Sequence, residues 1–358
     1  MGLPELERIR LILRGGSVID WRRLHFKTRD EVDHFLGLCE LDASDPVDEA
    51  WIRTALADAV DYLRKTFNYR VTEAVANPQR VQDVFLHASG VGEDRYRRIA
   101  CIVLKVMHVI QHLEGHALLR HLAIPETELG ELATRKVLSI AEEMRLMGSP
   151  VAEFADSIKT RESVITKLVA KKETVAAQIY DKTRFRIITR TRQDILPVLY
   201  HLTQRLFPFN FVVPDQTENT LLSFKGVLAE HPHFAQFLED LHLHADYEEK
   251  ELASGNEFSG RSYRALNFVV DLPLRMDAFL PPPDLDRRRT KCRTGFALVE
   301  FQIVDGQTAE LNELGENSHE KYKRRQKLKV LRRLSRGLVT PKRGSREPEV
   351  PPRGRPGK

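Results

Sequence analysis

Phe296-Ala297-Leu298-Val299-Glu300-Phe301-Gln302-Ile303-Val304 sets a carboxylate and an amide inside an otherwise apolar run. β-Branched and aromatic residues crowd it, so it reads as a strand. Alternation puts Val299, Phe301 and Ile303 on one side and Leu298, Glu300 and Gln302 on the other. An ionised Glu is costly to bury alone, so Glu300 needs a cation, a metal, or an exposed edge strand.

Working outward, β-like runs recur at Phe185–Thr189, Phe209–Val213 and Ala265–Leu272. Pro281-Pro282-Pro283 and the basic loop Arg287–Arg293 separate the last of these from the run that carries Glu300. Helical periodicity covers Val151–Glu173 and Asp194–Arg205, so this part is α/β or α+β. The residues before Gly148-Ser149-Pro150 read as consecutive helices. Thr28 with Glu31 forms a capping-box pattern, and Asp45-Pro46 and Asn77-Pro78 each place a capping side chain before proline, predicting helix starts near 29, 46 and 78. Arg97–Leu122 is the most apolar helix, with Ile99, Ile102, Val103, Val106, Ile110 and Leu113 as its expected buried face. The expected organisation is a helical region over 1–147, a mixed α/β domain over 148–330 and a basic tail over 331–358.

The chain has 42% hydrophobic and 30% charged residues and no apolar run approaching the ~18 residues of a membrane span, the composition of a soluble globular protein. Its N-terminus, interrupted by Glu5 and Glu7, does not read as a secretory signal, so a cytoplasmic location with no membrane partner is expected. Cys39, Cys101 and Cys292 lie far apart and read as free thiols. Residues 321–358 hold 15 Lys/Arg against Glu347 and Glu349, a charge of +13 that leaves −8 on residues 1–320 within the total of +5. With five prolines and few large apolar residues, the tail from about Gly337 is expected to be mobile. Its charge suits attachment to RNA, ribosome or DNA as well as it suits a solubilising end.

Several residue sets have chemical potential. Lys159, Ser163 and Lys167 recur every four residues and would share a helix face able to hold phosphates, or be an ordinary solvated face. Asp181, just before the run Phe185–Thr189, and Glu300 offer two carboxylates from neighbouring strands for Mg²⁺, or are two ion-paired acids. His108, His112 and His116 recur at helical spacing as a metal chelate or a polar helix face, with no sequence-adjacent acid to complete a site. His242, His244 and Asp246 would share a face if their segment were a strand, a second metal candidate.

Five short motifs occur in one order: Lys159-x-x-x-Ser163-x-x-x-Lys167; Asp181-Lys182-Thr183-Arg184-Phe185-Arg186; Tyr263-Arg264-Ala265-Leu266-Asn267; Val299-Glu300-Phe301-Gln302-Ile303; and His319-Glu320-Lys321-Tyr322-Lys323. Their succession over about 159–323 resembles the synthetase domain of the RelA/SpoT family. That resemblance implies a mixed-sheet, nucleotidyltransferase-like domain flanked by helices. It also implies a pyrophosphokinase passing the β,γ-pyrophosphate of ATP to the 3′-hydroxyl of a guanine nucleotide, GTP or GDP, to give (p)ppGpp and AMP. By carry-over, Asp181 and Glu300 hold Mg²⁺, and Glu300 also takes the hydroxyl proton. Lys159, Ser163, Lys167 and Arg186 belong to the donor side. Tyr263, with Arg264 and Asn267 beside it, stacks on the acceptor base, while Gln302 and His319 orient the acceptor.

The sequence departs from the family pattern at Arg184, where the strand motif has glycine, at Asn267, where it has histidine, and at Val304, where it has arginine. The rival reading is a catalytically degenerate nucleotide sensor that binds RNA or ribosome through the tail. In the synthetase reading the helical region is a regulatory or oligomerising module, which includes a homo-oligomer among its outcomes.

Overall fold

A computed structural model describes residues 1–15, 25–158, 160–170, 183–230, 236–237, 262–281, 292–314 and 319–335. Seven helices come first: α1 (Leu3–Arg14), α2 (Arg29–Leu38), α3 (Pro46–Phe67), α4 (Glu73–Ala76), α5 (Gln82–Ala88), α6 (Asp94–Leu122) and α7 (Glu126–Leu146). β1 (Val151–Ile158), α8 (Arg161–Ala170), β2 (Thr183–Thr189), α9 (Ile195–Arg205), β3 (Glu218–Asn219) and α10 (Phe224–Glu230) follow. The described order ends with β4 (Leu266–Arg275), β5 (Thr294–Asp305), α11 (Gly306–Glu313) and α12 (His319–Leu334). The architecture is the expected mixed α+β class behind a helical region. Among the described residues no helix is long and apolar enough to cross a membrane.

Two of the capped helix starts form as the sequence dictates. The Thr28 hydroxyl accepts from the Glu31 amide, and the Asp45 carboxylate accepts from the amides of Val47 and Asp48 at 2.8 and 3.0 Å. Each removes a donor that helix geometry leaves unpaired. The third does not: Asn77-Pro78 lies between α4 and α5, and the Asn77 amide closes α4 by bonding to the Glu73 carbonyl.

Among the described residues the sheet has five strands in the order β1-β2-β5-β4-β3, with β2 and β5 parallel and the other pairs antiparallel. The run that carries Glu300 is thus the central strand, not an edge. On one face Phe185, Phe268 and Phe301 stack within 5.4–5.6 Å of ring separation, and Phe207, just after α9, closes over Phe268 and Phe301. Register puts Arg184 opposite Glu300 and Arg186 opposite Gln302 on β2, and Val269 opposite Glu300 and Asn267 opposite Gln302 on β4. All of these point to the other face, which α6 crosses near Phe296.

Two expectations fail, and a third holds only in part, for physical reasons. Val151–Glu173 is not one helix: Val151–Ile158 pairs antiparallel with β2, and the helix starts only at Arg161. Phe209–Val213 is a 3₁₀ turn plus a single bridge from Val212 to Val270, and Phe209 and Phe211 are both buried. On α6 Val103 is buried and Ile99, Ile102, Val106 and Ile110 pack half-buried against the core as expected, but Leu113 is 63% exposed and the most buried stripe also takes in Ala100, Cys101, Leu104, Met107, His108, Gln111, Gly115 and Leu118. Close approach to β5 selects small and polar residues there, because a Cβ on Gly115 would stand 2.3 Å from the Phe296 ring.

The helices and the sheet share one continuous apolar core. Polar ties reinforce it. Arg275 at the end of β4 reaches the buried Asp48 of α3 at 2.6 Å, and Lys136 of α7 bonds both Glu40 and the Pro273 carbonyl.

Candidate functional site

Strand pairing assembles a polar patch from residues far apart in sequence. Glu300 is 9% exposed, and the cation it requires is Arg184. Arg184 Nε and Nη2 donate to the two Glu300 carboxylate oxygens at 3.0 and 3.1 Å, a bidentate fork. Burial by itself would lower the Arg184 guanidinium, but the charge and hydrogen bonds of Glu300 outweigh it and hold Arg184 above its ordinary value.

One row along, Gln302 donates from Nε2 to the Tyr263 hydroxyl and to Asn267 Oδ1, each at 3.0 Å. Asn267 thus fixes the amide orientation of Gln302. Burial pushes the Tyr263 phenol up, against the pull of Arg184 and Arg186. Arg186 lies 3.6 Å from Glu313 at the end of α11, and its buried Nε has no hydrogen-bond partner among the described residues. An unspent guanidinium N–H on a polar face is a donor awaiting an anion.

The segment before β4 is held from outside the motifs. Asn312 of α11 accepts from the Arg264 amide and donates to the Arg264 carbonyl, at 3.1 and 2.6 Å. Thr220 binds the Ala265 backbone. Both were missed in the sequence, where a buried Asn at a helix end gives no signal of its partner. The helix N-terminus of α11 is capped by Asp305, whose carboxylate accepts from Thr308.

The patch therefore unites Arg184, Arg186, Tyr263, Asn267, Glu300 and Gln302, with the Arg264 backbone beside them. Ser163 and Lys167 lie on α8, which packs against α12. Tyr322 of α12 comes close enough to Arg184 to act on its charge. His319 opens α12, but its side chain lies outside the described residues. So do Lys159 and Asp181, the pair His242/His244 with Asp246, and the tail beyond 335. Lys159 also precedes α8, so the expected three-residue helix face reduces to Ser163 and Lys167.

The histidine row is not a solvated helix face. His108 is buried, and burial lowers it to about 3. His112 and His116 meet Asp271 of β4. The acid that sequence spacing did not supply comes from the sheet.

No family model matches the chain, and no curated protein matches it. Solved structures do. Small alarmone synthetase 1 from Bacillus subtilis, bound to its product pppGpp, is 18% identical at a TM-score of 0.31, with 61% of this chain and 92% of that one covered. A GTP pyrophosphokinase family protein from Streptococcus pneumoniae is 14% identical at 0.29, with 59% and 85% covered. Small alarmone synthetase 2 from Bacillus subtilis is 14% identical at 0.28, with 57% and 92% covered. The chain is similar to small alarmone synthetases. Likeness this distant leaves the chemistry to the chain's own residues.

Proposed function

We propose that the polar patch is a nucleotide site of the alarmone-synthetase type, where ATP gives its β,γ-pyrophosphate to the 3′-hydroxyl of a guanine nucleotide. The observation that carries this is the convergence of Arg184, Arg186, Glu300, Gln302, Asn267 and Tyr263 from three strands and a loop onto one face. All but Arg184 are residues that the resemblance gives a role, and together they combine an arginine beside a carboxylate, an amide pair and a base-sized aromatic face.

In the reaction the 3′-oxygen bonds to the β-phosphorus, the bond from that phosphorus to the α,β-bridging oxygen breaks, and AMP leaves. Arg186 faces the transferring phosphates. Tyr263, steadied through its hydroxyl by Gln302, offers its ring to the purine. Glu300 accepts the hydroxyl proton. A carboxylate has about four lone-pair positions, so the Arg184 fork, which takes two, leaves room for the hydroxyl to donate to Glu300. It leaves poor room for a divalent cation, which would face the guanidinium across one carboxylate. Glu300 as placed does not fit an Mg²⁺ ligand, and no step here passes through a metal.

The Arg184–Glu300 pair also favours a second reading, nucleotide binding without turnover. One experiment separates the two. The purified protein is incubated with γ-labelled ATP, Mg²⁺ and GTP, GDP, GMP, ATP or tRNA, and products are resolved by chromatography, with Glu300→Gln and Tyr263→Ala proteins alongside. Label on an acceptor together with AMP, lost in Glu300→Gln, is the expected result. Nucleotide binding that needs Tyr263 but yields no transfer would replace the enzyme with a sensor.

A further inference from the structure

We propose that His112, His116 and Asp271 form a binding site for a divalent transition metal, Zn²⁺ foremost, separate from the Glu300 patch and independent of the reading given to it. His112 and His116 are one helical turn apart on α6, and Asp271 projects from β4 to meet them. His112 Nδ1 and His116 Nε2 approach the same carboxylate oxygen, Asp271 Oδ2, at 2.7 and 3.2 Å, and the three ligand atoms lie within 4.8 Å of one another. Ligands around tetrahedral zinc, at about 2.0–2.2 Å from the ion, stand about 3–3.5 Å apart, so small shifts would admit the ion.

Asp271 is 7% exposed, and its ion pairs among the described residues are with these two imidazoles. Its second oxygen, Oδ1, is buried and has no hydrogen-bond partner among the described residues. Two donors crowd one oxygen while the other has none. Hydrogen bonding alone has no reason to prefer that arrangement, whereas a cation bound at the carboxylate supplies the charge that burial demands.

The rings are already held. His112 stacks on Phe296 at 4.6 Å and 20°, and meets Phe211 and His108 edge-on at 5.0 and 4.4 Å. Gly115, between the two ligands, lets α6 press against β5. The His116 side chain is 44% exposed, which gives an ion an entry and leaves a coordination position open. Two imidazoles and one carboxylate favour Zn²⁺, Fe²⁺ or Co²⁺ over Mg²⁺ or Ca²⁺. A bound ion would tie the helical region to β4, two residue pairs along the sheet from the Val269–Glu300 pair.

The test uses the full chain stripped with chelator and titrated with Co²⁺, followed by its visible absorption and by competition with Zn²⁺. One equivalent should bind, and Zn²⁺ should raise Tm. His116→Gln and Asp271→Asn should each weaken binding at least tenfold and abolish the Tm shift. His242 and His244 remain in both variants, so equal binding by wild type and His116→Gln would overturn the proposal, leaving a hydrogen-bonded cluster. X-ray absorption on the zinc-loaded wild type tests it without any variant: two imidazole nitrogens are expected, and a first shell lacking them would also overturn it.

Discussion

Arg184 donates through two nitrogens to both carboxylate oxygens of Glu300, from directly opposite positions on the parallel strands β2 and β5. A strand that brings a carboxylate into the centre of a sheet thus receives its counter-charge from the neighbouring strand. Removing one partner of such a pair strands the other.

Arg184→Ala should therefore destabilise the protein by about 3 kcal/mol, the low end for a broken buried pair, since a third of the Arg184 side chain reaches solvent. Urea unfolding measures it. Millimolar Mg²⁺ should return part of that loss in the variant, where the carboxylate is free, and none in wild type. Unchanged stability in Arg184→Ala would mean that Glu300 does not depend on this partner.

Arg275 does the same service for Asp48, which is 1% exposed and also accepts from the Asp42 amide at 2.9 Å. Arg275→Met keeps the aliphatic stem and removes the charge. A loss of about 3 kcal/mol is expected, together with loosening of α3 against β4 detectable as faster amide exchange in α3. The double variant Arg275→Met with Asp48→Asn should recover most of the stability. Failure of that recovery would locate the loss in packing rather than charge.

Burial pushes the Cys292 thiol up to about 11, and raises that of Cys39 further still. Both shifts disfavour the thiolate, the reactive form, and Cys101 is buried as well. Ellman's reagent at pH 8 should find essentially no reactive thiol in the native protein and three after denaturation. A thiol that reacts at once in the native state would show that its segment opens without global unfolding.

Much of the site was legible because local pattern and tertiary need coincide. Val299-Glu300-Phe301-Gln302-Ile303 reads as a strand by alternation, and the demand of Glu300 for a cation is visible in the sequence. The identity of that cation is not, since Arg184 and Glu300 meet only through the pairing of β2 with β5. The same holds for Asp271, which is far in sequence from the histidines that it completes. Val151–Ile158 is a strand although Val151, Phe154 and Ile158 stand at helical spacing, because pairing with β2 overrides the local pattern. Asn77-Pro78 does not start a helix because the Asn77 backbone amide is taken up in closing α4, on the Glu73 carbonyl.

On α6 the expected apolar residues pack against the core except Leu113, but the closest approach to the sheet falls at Gly115, because the tightest contact selects for smallness and not for apolar size. Gly115→Ala tests this directly. In an exposed helix interior the change would stabilise by about 1 kcal/mol, because alanine is the better helix former. Here the new Cβ would stand 2.3 Å from Phe296 Cε2 and 2.9 Å from the Thr294 carbonyl oxygen. The ring could turn only by moving against His112 and Phe211, and the carbonyl belongs to the central strand. Overpacking of this kind costs about 1–3 kcal/mol and should exceed the helical gain, so thermal unfolding is expected at a lower Tm than wild type. A higher Tm would mean that α6 stands off from β5 in solution, and the closeness of His112 to Asp271 would then be in question as well.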